Sequence, residues 1–388
     1  MVDTYEVMPW PDRIYQGLYR IAGTDQKERI PRSYSTQMQV MINTLNDIRT
    51  SDKQINGTHG IGVLMANSLM FQRFPDHNGY DDPQFSSFYG QTLPLLKRGI
   101  PVELVHMENT PFQETFKGLQ VLVMSYSNMK PMKPEYHNYL ADWVKKGGTL
   151  VYCGEDVDPY QTVLEWWNTE GNAYKAPSEH LFETMGLSRT PGDGTFRSGK
   201  GTVIVIREDP KHFVLKNGND RKYFETIASA YLNQTGRKIE IKNNFVVERG
   251  PYTIAAVMDE SSSKEPLKLS GLYIDLFDKA LPILTMKQIN PGEQGYLYDL
   301  SKVSGKVKAK VLCGASRVYD EKVGKQSYSF VAKSPLHTTN VSRILLPRKP
   351  GKVLVNGKTE QPQWDESSKT LLLSFENDPA GVNVSIEW

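Results

Sequence analysis

The stretch LQVLVMSYSNMKPMKPEYHNYLADWVKKGGTLVYCG, residues 119–154, decides the fold. Two short apolar runs, 119–124 and 149–152, flank one amphipathic segment. Positions 121–124 and 150–152 within them are apolar in succession, the pattern of a strand covered on both faces. Between them Tyr136, Leu140, Trp143 and Val144 recur at helical spacing. Pro134 stands near the first turn, Lys145 and Lys146 fill the last, and Gly147 stops it. Strand, helix and strand in that order predict neighbouring strands of a parallel sheet.

The same alternation extends in both directions. Residues 61–66 form another apolar run, and 85–98 read as a helix ending at Gly99 that Pro94 should kink or split. Strands are expected at 102–105 and, from GTVIVI, at 201–206. TVLEWWN and SEHLFETMGL add helical turns, and DRKYFETIASAYLNQTG is a closing helix. Residues 58–237 are therefore expected to form a parallel sheet with helices on both faces.

Upstream, 1–57 read as a strand at 5–8, a polar loop at 23–32 and a helix in SYSTQMQVMINTLNDI. That helix places Met38, Met41, Ile42, Leu45 and Ile48 on one face, with Ser33 or Ser35 as cap. RTSDKQINGTHG is a polar linker and a domain boundary. Beyond residue 238 the period changes to alternation, in short runs separated by Gly, Pro, Asn and Asp. This predicts an antiparallel β-sandwich over 238–388, with Asn356-Gly357 as a tight hairpin. The fold class is α/β plus all-β.

Composition narrows the function classes. The 388 residues suit two or three domains. With 46 basic and 44 acidic residues there is no electrostatic footprint for nucleic acid or an anionic membrane. No apolar run approaches the roughly 18 to 20 residues that span a bilayer. The opening MVDTYEVMPWP has neither the basic start nor the apolar centre of a signal peptide. Cys153 and Cys313 could pair, but two cysteines make no disulfide framework and leave the compartment open. Seven histidines fall in no H-x-H, H-E-x-x-H or C-x-x-C spacing, so no transition metal is expected. No Gly-rich phosphate loop follows a strand, so no nucleotide cofactor is expected either.

Four segments carry a family resemblance: GIGVLMANSLMFQR, FYGQTLPLLKRGIPVELV, residues 119–154 and DPYQTVLEWWN. Together they cover about 58–190 and resemble the class I glutamine-amidotransferase-like, flavodoxin-like fold. The version they resemble is inserted after the catalytic barrel of bacterial β-galactosidase-type glycoside hydrolases, where it often serves as a trimerisation domain. YEVMPWPDRIY with the QVMINTLNDI helix looks like the last strand and helix of such a barrel. The segment from GKVLVNGK onward looks like the terminal sandwich of bacterial glycosidases. The resemblance implies the non-catalytic C-terminal part of a glycoside hydrolase, a homo-oligomer that meets carbohydrate through the intact enzyme. A barrel of about 250 residues has no room in this chain beside the other domains. If the intact enzyme is secreted or periplasmic, its signal would lie upstream.

Candidate chemistry is judged against that family. An amidotransferase places its nucleophile as G-x-C-x-G, because the strained turn needs room on both sides. Here Val151 and Glu155 occupy the glycine positions of Cys153, and Glu155 and Asp156 should raise the thiol pKa. The expected H-x-E partner is absent: His212 is followed by Val214 at the acid position, and His180 reaches Glu183 as H-x-x-E. Cys153 therefore reads first as a buried small residue. Ser127 in SYSNM is a second elbow-like position, with Met129 a poor substitute for glycine. Polar residues at carboxyl strand ends form a candidate crevice: Asn67, Ser68, Gln72 and Arg73; Ser125, Tyr126 and Asn128; Asp156 and Asp158. In the barrel-like start, Trp10 suits stacking on a sugar, Glu6 suits its hydroxyls, and Asp12 and Arg13 stand beside them. One carboxylate does not make the two-carboxylate site that glycoside hydrolysis needs. Trp166 and Trp167 offer a sugar platform or a buried anchor, and NGND at 217–220 offers oxygens to Ca²⁺ or a plain turn. Two other readings stand beside the first: a hydrolase or amidase using Cys153 or Ser127, and a carbohydrate-binding module.

Overall fold

The computed structural model describes residues 17–48, 53–70, 86–127, 129–216, 218–303, 305 and 308–388. The chain divides into two compact units. One comprises Asn56–Phe245 with Met258–Lys264; the other comprises Met1–Ile55, Val246–Val257 and Glu265–Trp388.

The first unit is a six-stranded mixed sheet. Its elements are β1 Ile61–Met65, α1 Ser86–Leu96, β2 Glu103–His106, β3 Val121–Met124, α2 Glu135–Lys145, β4 Thr149–Cys153, α3 Pro177–Thr184, β5 Gly194–Ser198, β6 Gly201–Ile206 and α4 Asn219–Thr235. The strand order is β2-β1-β3-β4-β6-β5, parallel except for the β5–β6 hairpin at one edge. The continuous apolar runs follow from the two-residue period of a strand. Leu64, Leu122, Met124, Leu150 and Tyr152 face one side with Leu140, Ala141 and Val144 of α2 and Phe182 of α3. Ile61, Val63, Val121, Val123, Val151 and Cys153 face the other with Leu95 of α1 and Tyr223, Phe224 and Ile227 of α4. Chain direction across the sheet reverses between β1 and β3, the place where an open α/β sheet leaves a crevice at its carboxyl edge.

Two local expectations change in this unit, and one strand is present that was not expected. TVLEWWN forms turns and bends, not helix. Its indoles act as anchors instead: Trp166 Nε1 donates to the Pro131 carbonyl at 2.9 Å and Trp167 Nε1 to the Gln161 carbonyl at 3.0 Å. Helix α1 runs unbroken through Pro94, which sits in its last turn, so nothing follows it that a kink would displace. The hairpin strand β5 carries no run of apolar residues and had no sequence signal of its own.

The second unit is antiparallel. A six-stranded sheet holds Ile283–Ile289, Leu267–Asp275, Gln294–Asp299, Tyr252–Val257, Asn244–Arg249 and Lys53–Ile55 in that order. A four-stranded sheet containing Lys310–Gly314, Thr339–Leu345 and Thr370–Glu376 and a five-stranded sheet containing Arg317–Val323, Ser327–Lys333 and Val382–Glu387 follow. Tyr328, Phe330, Val384 and Ile386 of the latter share one apolar cluster with Ile344, Leu371 and Leu373 of the former. Leu354 pairs with Thr359 and Val355 with Lys358 across Asn356 and Gly357, whose φ values of 46° and 79° make the expected hairpin turn.

The helix Arg32–Ile48 packs in this unit, on a face that differs from the expected one. Its buried residues are Ser35, Thr36, Gln39, Val40, Thr44 and Ile48, with Met41 and Leu45 half-buried. Three of its four polar members are held by hydrogen bonds: Thr36 Oγ1 donates to the Thr339 carbonyl at 3.0 Å, Ser334 Oγ to Gln39 Oε1 at 3.2 Å and Thr44 Oγ1 to the Val40 carbonyl at 2.9 Å, whereas the buried Ser35 Oγ has no partner among the described residues. Ser33 and Ser35 lie inside the first turn, because Pro31 already starts the helix by accepting from the amides of Tyr34 and Ser35.

Candidate functional site

The carboxyl edge of the parallel sheet brings together the ends of β3, β4 and β6. After β3 the chain turns sharply, and the Ser127 amide donates to Ser125 Oγ at 3.0 Å. After β4 comes Gly154 at φ 144°, where a Cβ would stand 3.2 Å from Ser127 Oγ and 3.3 Å from Ser125 Oγ. Asp156 follows at φ 61°, a left-handed conformation that costs a non-glycine residue energy and is held by its partners.

Those partners are specific. Asp156 Oδ2 accepts from Arg207 Nη1 and from Ser178 Oγ, each at 2.7 Å, and Oδ1 accepts from the Tyr152 hydroxyl. Arg207 also donates to the carbonyls of Gly154 at 3.2 Å and Pro191 at 2.9 Å, and lies over the rings of Tyr152 and Phe182. Its guanidinium thus ties the ends of β4 and β6 to α3. A second clasp holds Lys130, whose Nζ donates to Asp158 Oδ2 at 2.8 Å and to the Tyr126 carbonyl. Burial pulls this ammonium below its ordinary range, against the raising effect of Asp158.

Both elbow-like nucleophile positions are closed. Ser127 Oγ donates to Asp209 Oδ1 at 2.6 Å, so its neighbour is a carboxylate and not an imidazole. Cys153 has no exposed surface and belongs to the apolar cluster of β1, β3, α1 and α4. Burial pushes its thiol far up, with a smaller push from Glu208. The acid that acts on it is therefore Glu208, not Glu155 or Asp156 as the sequence suggested. Asp156 is instead committed to Arg207. Both cysteines are free and buried, so the pairing left open by the sequence does not form.

The remaining candidates separate. Tyr126 is fully buried, and its hydroxyl stands 2.6 Å from His137 Nε2. His137 Nδ1 in turn stands 2.7 Å from His180 Nδ1. Burial holds the His137 imidazole well below its ordinary pKa, and His180 adds to the effect. Glu183, the acid of the H-x-x-E pattern, turns away to Tyr174 and to Arg189 Nε at 3.0 Å. Asn67 is exposed, and its amide donates to Glu108 Oε1 at 2.9 Å. Ser68 is buried and accepts from the Lys130 amide at 2.8 Å. Asp220 of the NGND turn sets its Oδ2 against both Lys97 Nζ and Arg98 Nη2, each 2.8 Å away, so two cations already neutralise its charge. Glu6, Trp10, Asp12, Arg13, Gln72, Arg73, Asn128 and Asn217 lie outside the described residues. Sequence reading missed His137, Arg207 and Asp209; only the strand-end position of the last two would have marked them. Among the described residues no group of three or more His, Cys, Asp or Glu is placed to hold a metal ion.

No protein-family profile matches the chain, and no curated protein matches it. Solved structures similar to it include the β-galactosidase of Bacillus circulans sp. alkalophilus, at 12% identity and a TM-score of 0.40, covering 68% of this chain and 43% of that one. The β-galactosidase of the Antarctic haloarchaeon Halorubrum lacusprofundi matches at 13% identity and a TM-score of 0.37, covering 66% of this chain and 42% of that one. The α-L-fucosidase isoenzyme 2 of Paenibacillus thiaminolyticus matches at 10% identity and a TM-score of 0.31, covering 86% and 49%. The chain spans less than half the length of each of these proteins.

Proposed function

We propose that this chain is the non-catalytic C-terminal part of a glycoside hydrolase. In this reading the α/β unit is an amidotransferase-like, flavodoxin-like domain that has lost its chemistry and supports a homo-oligomer or the edge of an active site. The antiparallel sheets form an accessory β-sandwich. The resemblance of residues 58–190 to the domain inserted in β-galactosidase-type enzymes supports the family. One observation carries the non-catalytic part: the residue at the nucleophile position, Cys153, is wholly buried among apolar side chains with its thiol pushed up. A thiolate is the reactive form, and nothing here favours one.

The test is alkylation of the native protein with iodoacetamide at neutral pH, followed by peptide mapping. Cys153 is expected to stay unmodified until denaturant is added. Rapid labelling of native Cys153, together with amide hydrolysis that Cys153→Ala abolishes, would overturn the reading in favour of a hydrolase. Light scattering on the purified chain tests the oligomer separately, and a monomer at all concentrations removes that part.

A further inference from the structure

The antiparallel unit contains a pocket that the proposed function does not use. Its volume is about 540 Å³, within the usual range for small-ligand sites. One wall is the last turns of the helix Arg32–Ile48, with Asn43, Asn46 and Asp47. The other is the pair of edge strands Lys310–Gly314 and Arg317–Val323 with the link between them.

The walls are fixed and the interior is left unsatisfied. Asn43 Nδ2 donates to the Gly314 carbonyl at 2.9 Å, and the Tyr252 hydroxyl donates to Asp47 Oδ2 at 2.7 Å. These bonds tie helix to strand and leave Asp47 Oδ1 as an acceptor. Ser316 lines the pocket, is 4% exposed, and its Oγ has no hydrogen-bond partner. A buried hydroxyl without a partner is rare and points to a group that completes it. Asn46, Lys310 and Arg317 are exposed lining residues whose side chains make no hydrogen bond or ion pair among the described residues. Tyr319 adds an aromatic wall that is 42% exposed. Both edge strands break register beside the pocket, between Val311 and Cys313 and between Tyr319 and Lys322. Such bulges re-aim side chains at the rim of a sheet.

We infer that this pocket binds a saccharide, one or two sugar rings in size. A ring of hydroxyls both donates and accepts at neighbouring positions. Asp47 and the Asn46 carbonyl accept, Lys310 and Arg317 donate, and Ser316 does both. Lys333 Nζ lies over one face of the Tyr319 ring, 5.5 Å from its centroid, and the opposite face is the one that would meet the apolar side of the sugar. A wholly apolar ligand would strand these groups, and a bare anion would leave Asp47 facing like charge. Two cations against one carboxylate make an acidic sugar the tighter ligand. The inference goes beyond the proposed function and stands on these residues whether or not the chain serves a glycoside hydrolase.

Titration calorimetry on the full chain tests it, with lactose, tri-galacturonate and sodium sulfate as probes. Both saccharides are expected to bind at one site, tri-galacturonate more tightly, and sulfate not to bind. Asn46→Ala, Arg317→Ala and Ser316→Ala each remove about one hydrogen bond and should weaken saccharide binding roughly tenfold. Asn46 and Arg317 are exposed, so these two variants keep the test valid if Ser316→Ala fails to fold. The inference is overturned by no saturable saccharide binding at concentrations on the order of 10 mM. It is equally overturned by saccharide binding that all three variants leave unchanged, or by sulfate binding as tightly as tri-galacturonate.

Discussion

Asp156 shows how a single carboxylate can fasten the end of a strand to its neighbours. It holds a left-handed backbone, and its carboxylate gathers Arg207, Ser178 and Tyr152. The Asp156 and Arg207 side chains are 9% and 21% exposed, so the pair is mostly withdrawn from water. Removing one charge from such a pair leaves the other uncompensated. Asp156→Asn should destabilise the α/β unit by about 2–4 kcal/mol, the lower part of that range reflecting the water Arg207 still reaches. Urea unfolding followed by tryptophan fluorescence measures this, and a loss under about 0.5 kcal/mol would show that the clasp is not structural. The sequence displays Asp156 as a neighbour of Cys153, but only a strand-end position marks Arg207, and nothing pairs it with an acid 51 positions away. Residues joined only by tertiary contact leave no local pattern.

At the level of elements, legibility followed burial geometry. Strands β1, β3 and β4 were readable because both their faces are covered, which forces unbroken apolar runs. Helix α2 was readable because proline, lysine and glycine mark its ends. The helix Arg32–Ile48 was found, but its inner face was misread. Apolar spacing favours Met38 and Ile42, whereas the buried stripe runs through Thr36 and Gln39, which bond to groups far along the chain, and Thr44, which bonds back to the Val40 and Met41 carbonyls of its own helix. The hairpin at Asn356-Gly357 was legible in full, because two successive positive φ angles demand those residue types. Gly357→Val should therefore cost about 1–3 kcal/mol through a strained backbone, although a side chain there meets nothing. A thermal shift of the variant checks this. An unchanged midpoint would mean that the turn adopts another conformation.

For the whole molecule the informative variable is pH. Burial depresses the pKa of His137, so the folded chain keeps that imidazole neutral where the unfolded chain takes up a proton. The unfolded state then binds more protons below the ordinary histidine range of about 6.5. Stability from this group is complete above that value and is lost as pH falls below it, by up to about 1.4 kcal/mol per pH unit. The urea midpoint should drop between about pH 7.5 and about pH 5.5, and His137→Gln should flatten that slope whatever its effect on the midpoint itself. A slope identical in the variant and the parent would place the dependence elsewhere.

The contact between the two imidazoles has a consequence of its own. His137 Nδ1 and His180 Nδ1 are 2.7 Å apart, so with both rings neutral one hydrogen must lie between them. If His180 supplies it, His137 carries its own hydrogen on Nε2 and offers it to the Tyr126 oxygen. If His137 supplies it, Nε2 is bare and the Tyr126 hydroxyl must donate to it. The three groups therefore share one bit of orientation. A tautomer change at half-buried His180 is written into the fully buried Tyr126, with no atom heavier than hydrogen moving.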